Sequence, residues 1–109
     1  MTEAIARDYA GAFSRMKAED ILLFLLKEHG KGAAFSSSLG AEDQVITHMM
    51  AGIDRGACVF TLDTGRMFPE TYEVLEKTQA RYKTGIKVMF PDAARVEEMV
   101  ASHGINLFY

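Results

Sequence analysis

Cysteine is nearly absent from this 109-residue chain: Cys58 is the only one. A single thiol excludes an internal disulfide and any all-cysteine metal or iron–sulfur cage built from this chain alone. Basic excess is lacking as well. Twelve Lys and Arg against fifteen Asp and Glu give a formal charge of −3 with no basic stripe, so nothing points to nucleic-acid binding by phosphate neutralisation. Any anionic ligand has to be held by local donors. No apolar run approaches the roughly 20 residues that span a bilayer. The opening MTEAIARDYAGAF mixes acids with its apolar residues and has no basic head, unlike a signal peptide. The expectation is a soluble, intracellular, cytoplasmic protein without a membrane or nucleic-acid partner. Internal repeats and low-complexity linkers are missing too, and the length suits one small domain burying roughly two thirds of the surface its unfolded chain exposes.

What is present is periodicity. Ile5, Tyr9 and Phe13 fall four apart, the stripe of a short helix over 3–15. The spacing of Ala18, Leu22, Leu25 and Leu26, widened by Ile21 and Phe24, predicts a largely buried helix over 18–29. Lys27 and His29 in its last turn oppose the negative end of the helix dipole, and Gly30 supplies a stop. A short strand follows near 33–36, then a helix over 41–50 with Val45, Ile46, Met49 and Met50 inward. CVFTLD, 58–63, reads as a strand. Pro69 opens a helix running to Tyr82 with Tyr72 and Leu75 inside. IKVMF, 86–90, is a third strand, and Val96, Met99 and Val100 mark a last helix over 94–103. This alternation is the rhythm of an α/β protein with an open parallel sheet and flanking helices. In such sheets ligands bind outside the carboxyl ends of the strands, which here carry the loops SSSLG, DTGR and FPD.

The first loop, Ser36, Ser37, Ser38 and Gly40, offers hydroxyls and backbone N–H groups just before a helix N-terminus, where an anion is favoured. It is no P-loop, because that motif's lysine and flanking glycines are missing. An ordinary strand-to-helix turn has the same composition. Glu42 and Asp43 read as dipole partners in the first turn of the helix. In the second loop Asp63 can accept hydrogen bonds, Gly65 permits close backbone approach, and Arg66 is a forked donor suited to phosphate or sulfate; a solvated turn is the alternative. Cys58, inside a central strand, reads as a small buried apolar residue rather than a nucleophile. His29, His48 and His103 are scattered without ligand spacing, and the seven methionines read as core filling.

SSSLGAEDQV, FTLDTGRMFPETY, KVMFPD and VEEMVASHGINLFY, in this order and spacing, resemble the amino-terminal half of the assimilatory sulfonucleotide reductases. That family reduces adenylyl sulfate or 3′-phosphoadenylyl sulfate to sulfite in sulfate assimilation and cysteine biosynthesis. The likeness runs from Ala18 onward and implies an adenine nucleotide α-hydrolase-like, Rossmann-like fold. It further implies that Ser36 through Asp43, with Ser37, Ser38, Gly40 and Glu42, lie near the phosphosulfate end of the nucleotide. Leu62, Asp63, Thr64 and Gly65 would border adenine and ribose, and Arg66 looks like the adenylyl sulfate branch.

The family pattern continues with paired cysteines in members that carry a [4Fe-4S] cluster, an arginine-bearing loop, and a carboxyl-terminal cysteine that attacks sulfur. None of these has a counterpart here, so the resemblance assigns no catalytic residue, metal or cofactor to this chain. The segment INLFY is apolar and strand-like with no stop signal, and the expectation for 1–109 is a single partial domain, the nucleotide-binding half. Thioredoxin or another thiol donor is the implied partner of the complete enzyme, and a homo-oligomer is compatible with the resemblance. Two other readings stay open: a non-catalytic or adenylating nucleotide-binding module of the α-hydrolase-like superfamily, whose SGGxDS loop differs from SSSLGAED, and the same fold with no ligand.

Overall fold

The computed structural model describes residues 2–107. Its elements run α1 (Glu3–Phe13), α2 (Ala18–His29), a 3-10 turn (Gly30–Gly32), β1 (Ala34–Ser36), α3 (Ala41–Ile53), β2 (Cys58–Leu62), α4 (Pro69–Tyr82), β3 (Ile86–Met89) and α5 (Ala93–His103). The three strands form one parallel sheet in the order β1-β2-β3. The α/β reading therefore holds: an open parallel sheet with helices between its strands.

Register decides the packing. Phe35, Val59 and Ile86 stand side by side across the sheet, as do Thr61 and Val88 one step further along. Their side chains share one face, because alternate residues of a strand point the same way. On that face Val59 and Ile86 are buried with Met50 of α3 and Ala57. Ile46 of α3, Leu75 of α4, Leu22 and Leu26 of α2, and Phe35 pack against them. Threonines seal the edges of this small core: Thr78 Oγ1 donates to the Val74 carbonyl at 2.6 Å and accepts from Gln44 Nε2 at 3.0 Å, and Thr84 Oγ1 donates to the Arg55 carbonyl at 2.9 Å. Among the described residues no buried side-chain polar atom lacks a partner.

The other face of the sheet presents Ala34, Ser36, Cys58, Phe60, Leu62, Lys87 and Met89, none of them buried. The molecule is correspondingly extended. Its radius of gyration is 16.9 Å, against roughly 13 Å for a compact domain of this length.

Several expectations are corrected. The α2 helix has no buried residue, and Leu23 and Phe24 are exposed: it packs edgewise beside α3, with α1 lying against its outer side through Tyr9, Phe13 and Phe24. Val45 is 58% exposed because Ile46, Met50 and the intervening Thr47 hold the sheet-facing stripe of α3. Cys58 is half-buried, since it lies on the uncovered face. Residues 105–107 of INLFY form a turn instead of a strand, and the remaining two lie outside the described residues.

Candidate functional site

Both strand-end loops leave the sheet while still hydrogen-bonded to it. Ser37 N–H donates to the Phe60 carbonyl at 2.8 Å, and Asp63 N–H to the Met89 carbonyl at 2.9 Å, each one residue past its strand. Because the strands are parallel neighbours, the loops emerge at the same end. Ser36, Ser37 and Ser38 then face Thr61, Leu62 and Met67 across a cleft of about 180 Å³. A second void, about 10 Å³, close to the size of one water, joins Leu39 to Asp63, Met67 and Tyr72.

The serine loop is self-braced. Asp43, in the first turn of α3, reaches back so that one carboxylate oxygen accepts from Ser38 N–H at 2.9 Å, from Gly40 N–H at 3.3 Å and from the Ser38 hydroxyl. This is the carboxylate half of a capping box with a glycine at the N-cap. The Ser38 hydroxyl outweighs desolvation and, with smaller help from the Ser38 and Gly40 N–H groups, holds the Asp43 carboxyl below its ordinary pKa. Leu39 N–H donates to Ser37 Oγ at 3.0 Å, which holds Leu39 at φ +63°. A left-handed leucine costs about 1 kcal/mol or more. The conformational demand thus falls on Leu39, while Gly40 has an ordinary φ of −77°.

Three N–H groups that composition offered to an anion are therefore occupied from within. The cleft itself receives the hydroxyls of Ser36 and Ser37, the latter buried, and each hydroxyl keeps a proton to donate.

In the second loop Asp63 is buried. Its Oδ1 accepts from Gly65 N–H at 2.7 Å and its Oδ2 from the Tyr72 hydroxyl at 2.8 Å. The Asp63–Gly65 bond closes an Asx-type turn, and Gly65 at φ +88° takes the conformation that favours glycine. The Tyr72 phenol is pushed above its ordinary pKa, first by the bond to the Asp63 carboxylate and then by desolvation and by repulsion from that charge. The Arg66 guanidinium donates to the Ile105 carbonyl, tying the loop to the segment after α5. Thr64 is exposed, none of Gly40, Glu42, Asp43, Asp63, Thr64, Gly65 and Arg66 lines the 180 Å³ cleft, and Asp63 borders only the smaller void. The third strand-end loop, 90–92, does not reach it: Asp92 Oδ1 caps α5 by accepting from Ala94 N–H at 3.1 Å.

Residues 32–109 match the phosphoadenosine phosphosulfate reductase domain. The chain belongs to this family. It is 44% identical over 77 residues to an adenosine 5′-phosphosulfate reductase of Sinorhizobium fredii, covering 71% of this chain and 31% of the relative. It is 33% identical over 96 residues to one of Burkholderia cepacia, covering 88% and 38%. A probable chloroplastic 5′-adenylylsulfate reductase 1 of Oryza sativa subsp. japonica is 37% identical over 107 residues, 98% of this chain and 22% of the relative. The chain thus spans between 22% and 38% of the length of these reductases.

Within the reductase family a [4Fe-4S] cluster needs four thiolates. Cys58 is the only one this chain can offer, and the described residues hold no group of three or more His, Cys, Asp or Glu able to ligate a metal, so these residues do not fit the cluster. Also among the described residues, no helix is long and apolar enough to cross a membrane. Thr61 and Met67 line the cleft and Tyr72 the smaller void, although the sequence reading left them out of the candidate site; Leu39, inside the span 36–43 it gave, lines the smaller void. Thr61 was legible, because it alternates with Val59 and Leu62 ends the strand; the rest depend on how the loops fold back.

Proposed function

We propose that this chain is the nucleotide-cradling part of a sulfonucleotide reductase, with adenylyl sulfate as the ligand. The observation that carries the reading is the cleft between Ser36–Ser38 and Thr61–Leu62, at the carboxyl ends of two adjacent parallel strands where α/β sheets take ligands. In this reading the phosphosulfate meets the hydroxyls of Ser36 and Ser37, while Asp43 braces Ser38 and Gly40 from behind. Adenine and ribose lie along Leu62, Asp63, Thr64 and Gly65. Arg66 favours the sulfonucleotide without a 3′-phosphate, in keeping with the names of the relatives.

The reduction needs a thiolate that attacks the sulfate sulfur and breaks its bond to the phosphate oxygen, releasing AMP and leaving a cysteine S-sulfonate. A dithiol donor such as thioredoxin then takes the sulfur off as sulfite and is itself oxidised. Cys58 opens β2, four residues from Leu62 and hence about 13 Å down the strand at 3.3 Å per residue. It is out of reach of a ligand in the cleft. The chain by itself is accordingly a binding unit without reductase activity.

Chemical-shift mapping with adenylyl sulfate, 3′-phosphoadenylyl sulfate, adenosine and ATP tests the site. The expected outcome is perturbation of 36–40 and 62–66, strongest for adenylyl sulfate, and an Arg66→Ala variant that loses more affinity for it than for adenosine. Perturbation elsewhere, or equal response to adenosine, sinks the reading. Incubation with adenylyl sulfate and reduced thioredoxin should yield neither sulfite nor an S-sulfonated peptide by mass spectrometry. Sulfite production that disappears in Cys58→Ser would overturn the placement of Cys58.

A further inference from the structure

We infer that the groove between α3 and α4, running from Gln44 toward Arg55 and the end of the sheet away from the serine loop, docks an acidic peptide segment of a protein partner. The α3 helix starts beside the serine loop and runs back toward the beginning of β2, and α4 returns in the same sense toward β3. The first turn of α3 meets the second half of α4 through Gln44 and Thr78 at 3.0 Å, and one turn further along each helix His48 Nδ1 lies 3.2 Å from the Tyr82 hydroxyl. Above these bridges lie two adjoining clefts of about 280 and 210 Å³ that share Arg81 and Tyr82. Lys77 borders one and Arg55 the other.

The charge of this groove runs against the molecule. In a chain of net charge −3, its three formal charges are all cationic, and no ion pair engages Arg55, Lys77 or Arg81 among the described residues. Arg81 lies over the Tyr82 ring at 5.5 Å, which holds its guanidinium over the groove. The nearest acids by chain position, Glu76 beside Lys77 and Asp54 beside Arg55, line neither cleft, nor does Glu73 one turn before Lys77, and Asp54 Oδ1 is engaged by Gly56 N–H at 2.8 Å.

Spacing selects the occupant. Lys77 and Arg81 are four residues apart on α4, about 6 Å along its axis. Side chains at alternate positions of an extended peptide repeat at about 6.6 Å. A strand-like segment with Asp or Glu at every second residue therefore brings successive carboxylates to Lys77 and Arg81, with Arg55 across the groove for a third. Nothing here depends on the nucleotide reading, since the groove and the serine cleft share no residue.

The test titrates the 15N-labelled chain, at low and at physiological salt, with an eight-residue blocked peptide carrying Asp at alternate positions. Its Asn counterpart and inorganic pyrophosphate are run beside it. Expected are shifts centred on 44–55 and 77–82, weakening severalfold as salt screens the exposed charges, and no saturation by the Asn peptide. Arg81→Gln should weaken binding roughly threefold to fivefold, and Arg81→Glu tenfold or more, with circular dichroism unchanged because Arg81 is exposed. No shifts at millimolar peptide, shifts centred on 36–43, an unaffected Arg81→Glu variant, or pyrophosphate binding as tightly as the peptide would each overturn the proposal.

Discussion

On one face of the sheet Phe35, Val59, Thr61, Ile86 and Val88 lie beneath α3 and α4; on the other Cys58, Phe60, Leu62, Lys87 and Met89 remain half-buried or exposed. Both faces are drawn from the same residues of the same strands in strict alternation, and Cys58, Phe60, Leu62 and Met89 are no less apolar than Val59 and Ile86. Parallel sheets in α/β proteins ordinarily have both faces covered, and their strands are apolar throughout for that reason. Strand composition here is that of a sheet packed on two sides, while the observed packing is one-sided. Apolar character tells what a residue tolerates, and register together with helix placement tells what it receives.

Substitutions sharpen that contrast in order of expected effect. Met50 is 4% exposed at the centre of the covered face, so Met50→Ala should cost about 2–5 kcal/mol in urea unfolding, enough to unfold a marginal domain of this size. A loss below about 1 kcal/mol would mean that the covered face is packed no better than the open one.

Asp43→Asn should cost about 1 kcal/mol and loosen the serine loop without touching either face. Asp43 titrates below its ordinary value, so its stabilising bonds are complete above the unfolded-state pKa of about 3.9 and are lost as pH falls through the lower folded value. The amide resonances of Ser38 and Gly40 should therefore move in acid with a midpoint below 3.9. Asp43→Asn should abolish that transition.

Leu62→Ser, on the open face at 57% exposure, should change stability by no more than about 0.5 kcal/mol. The companion measurement is thiol labelling. Native Cys58 should react with iodoacetamide without global unfolding, whereas a labelling rate limited by unfolding would show that the open face is covered in solution.

Tyr72 provides the smallest effect on stability. Its raised pKa favours the neutral phenol in the folded chain, so the contribution is present below about pH 10 and is lost as pH rises through the folded value. Ultraviolet titration should show the Tyr72 phenol ionising above its ordinary value of about 10, and Asp63→Asn should remove that elevation.

The order of elements was legible because it rests on local features: the four-residue spacing of Ile5, Tyr9 and Phe13, Pro69 at the first turn of α4, Gly30 behind Leu26, and β-forming runs ending in turn residues. The two loops were legible as a candidate site because three serines and DTGR sit where strands end, and parallel order puts both at one end of the sheet, where the serines, but not residues 63–66, line the cleft. Other features were not written in local sequence. That Asp43 would occupy the loop's own N–H groups depends on how far α3 turns back. That buried Asp63 would bond a Tyr72 that is itself exposed, where the helical stripe predicts it inside, depends on where α4 begins relative to β2. The burial expected of α2 failed because an apolar stripe records a preference for leaving water and carries no information about which surface is there to receive it.

By itself, then, the sequence determined which segments are helix and strand, that they alternate into a parallel sheet, and the family to which 32–109 belongs. Tertiary structure alone decided which face of each strand is packed, that Leu39 rather than Gly40 bears the left-handed turn, and that Lys77, Arg81 and Arg55 share one groove. Helix and strand arise from neighbours a few residues apart, whose spacing the chain itself sets. Burial, strain and clustered charge arise from residues distant in sequence, and only the register between strands and the docking of helices on them brings those together.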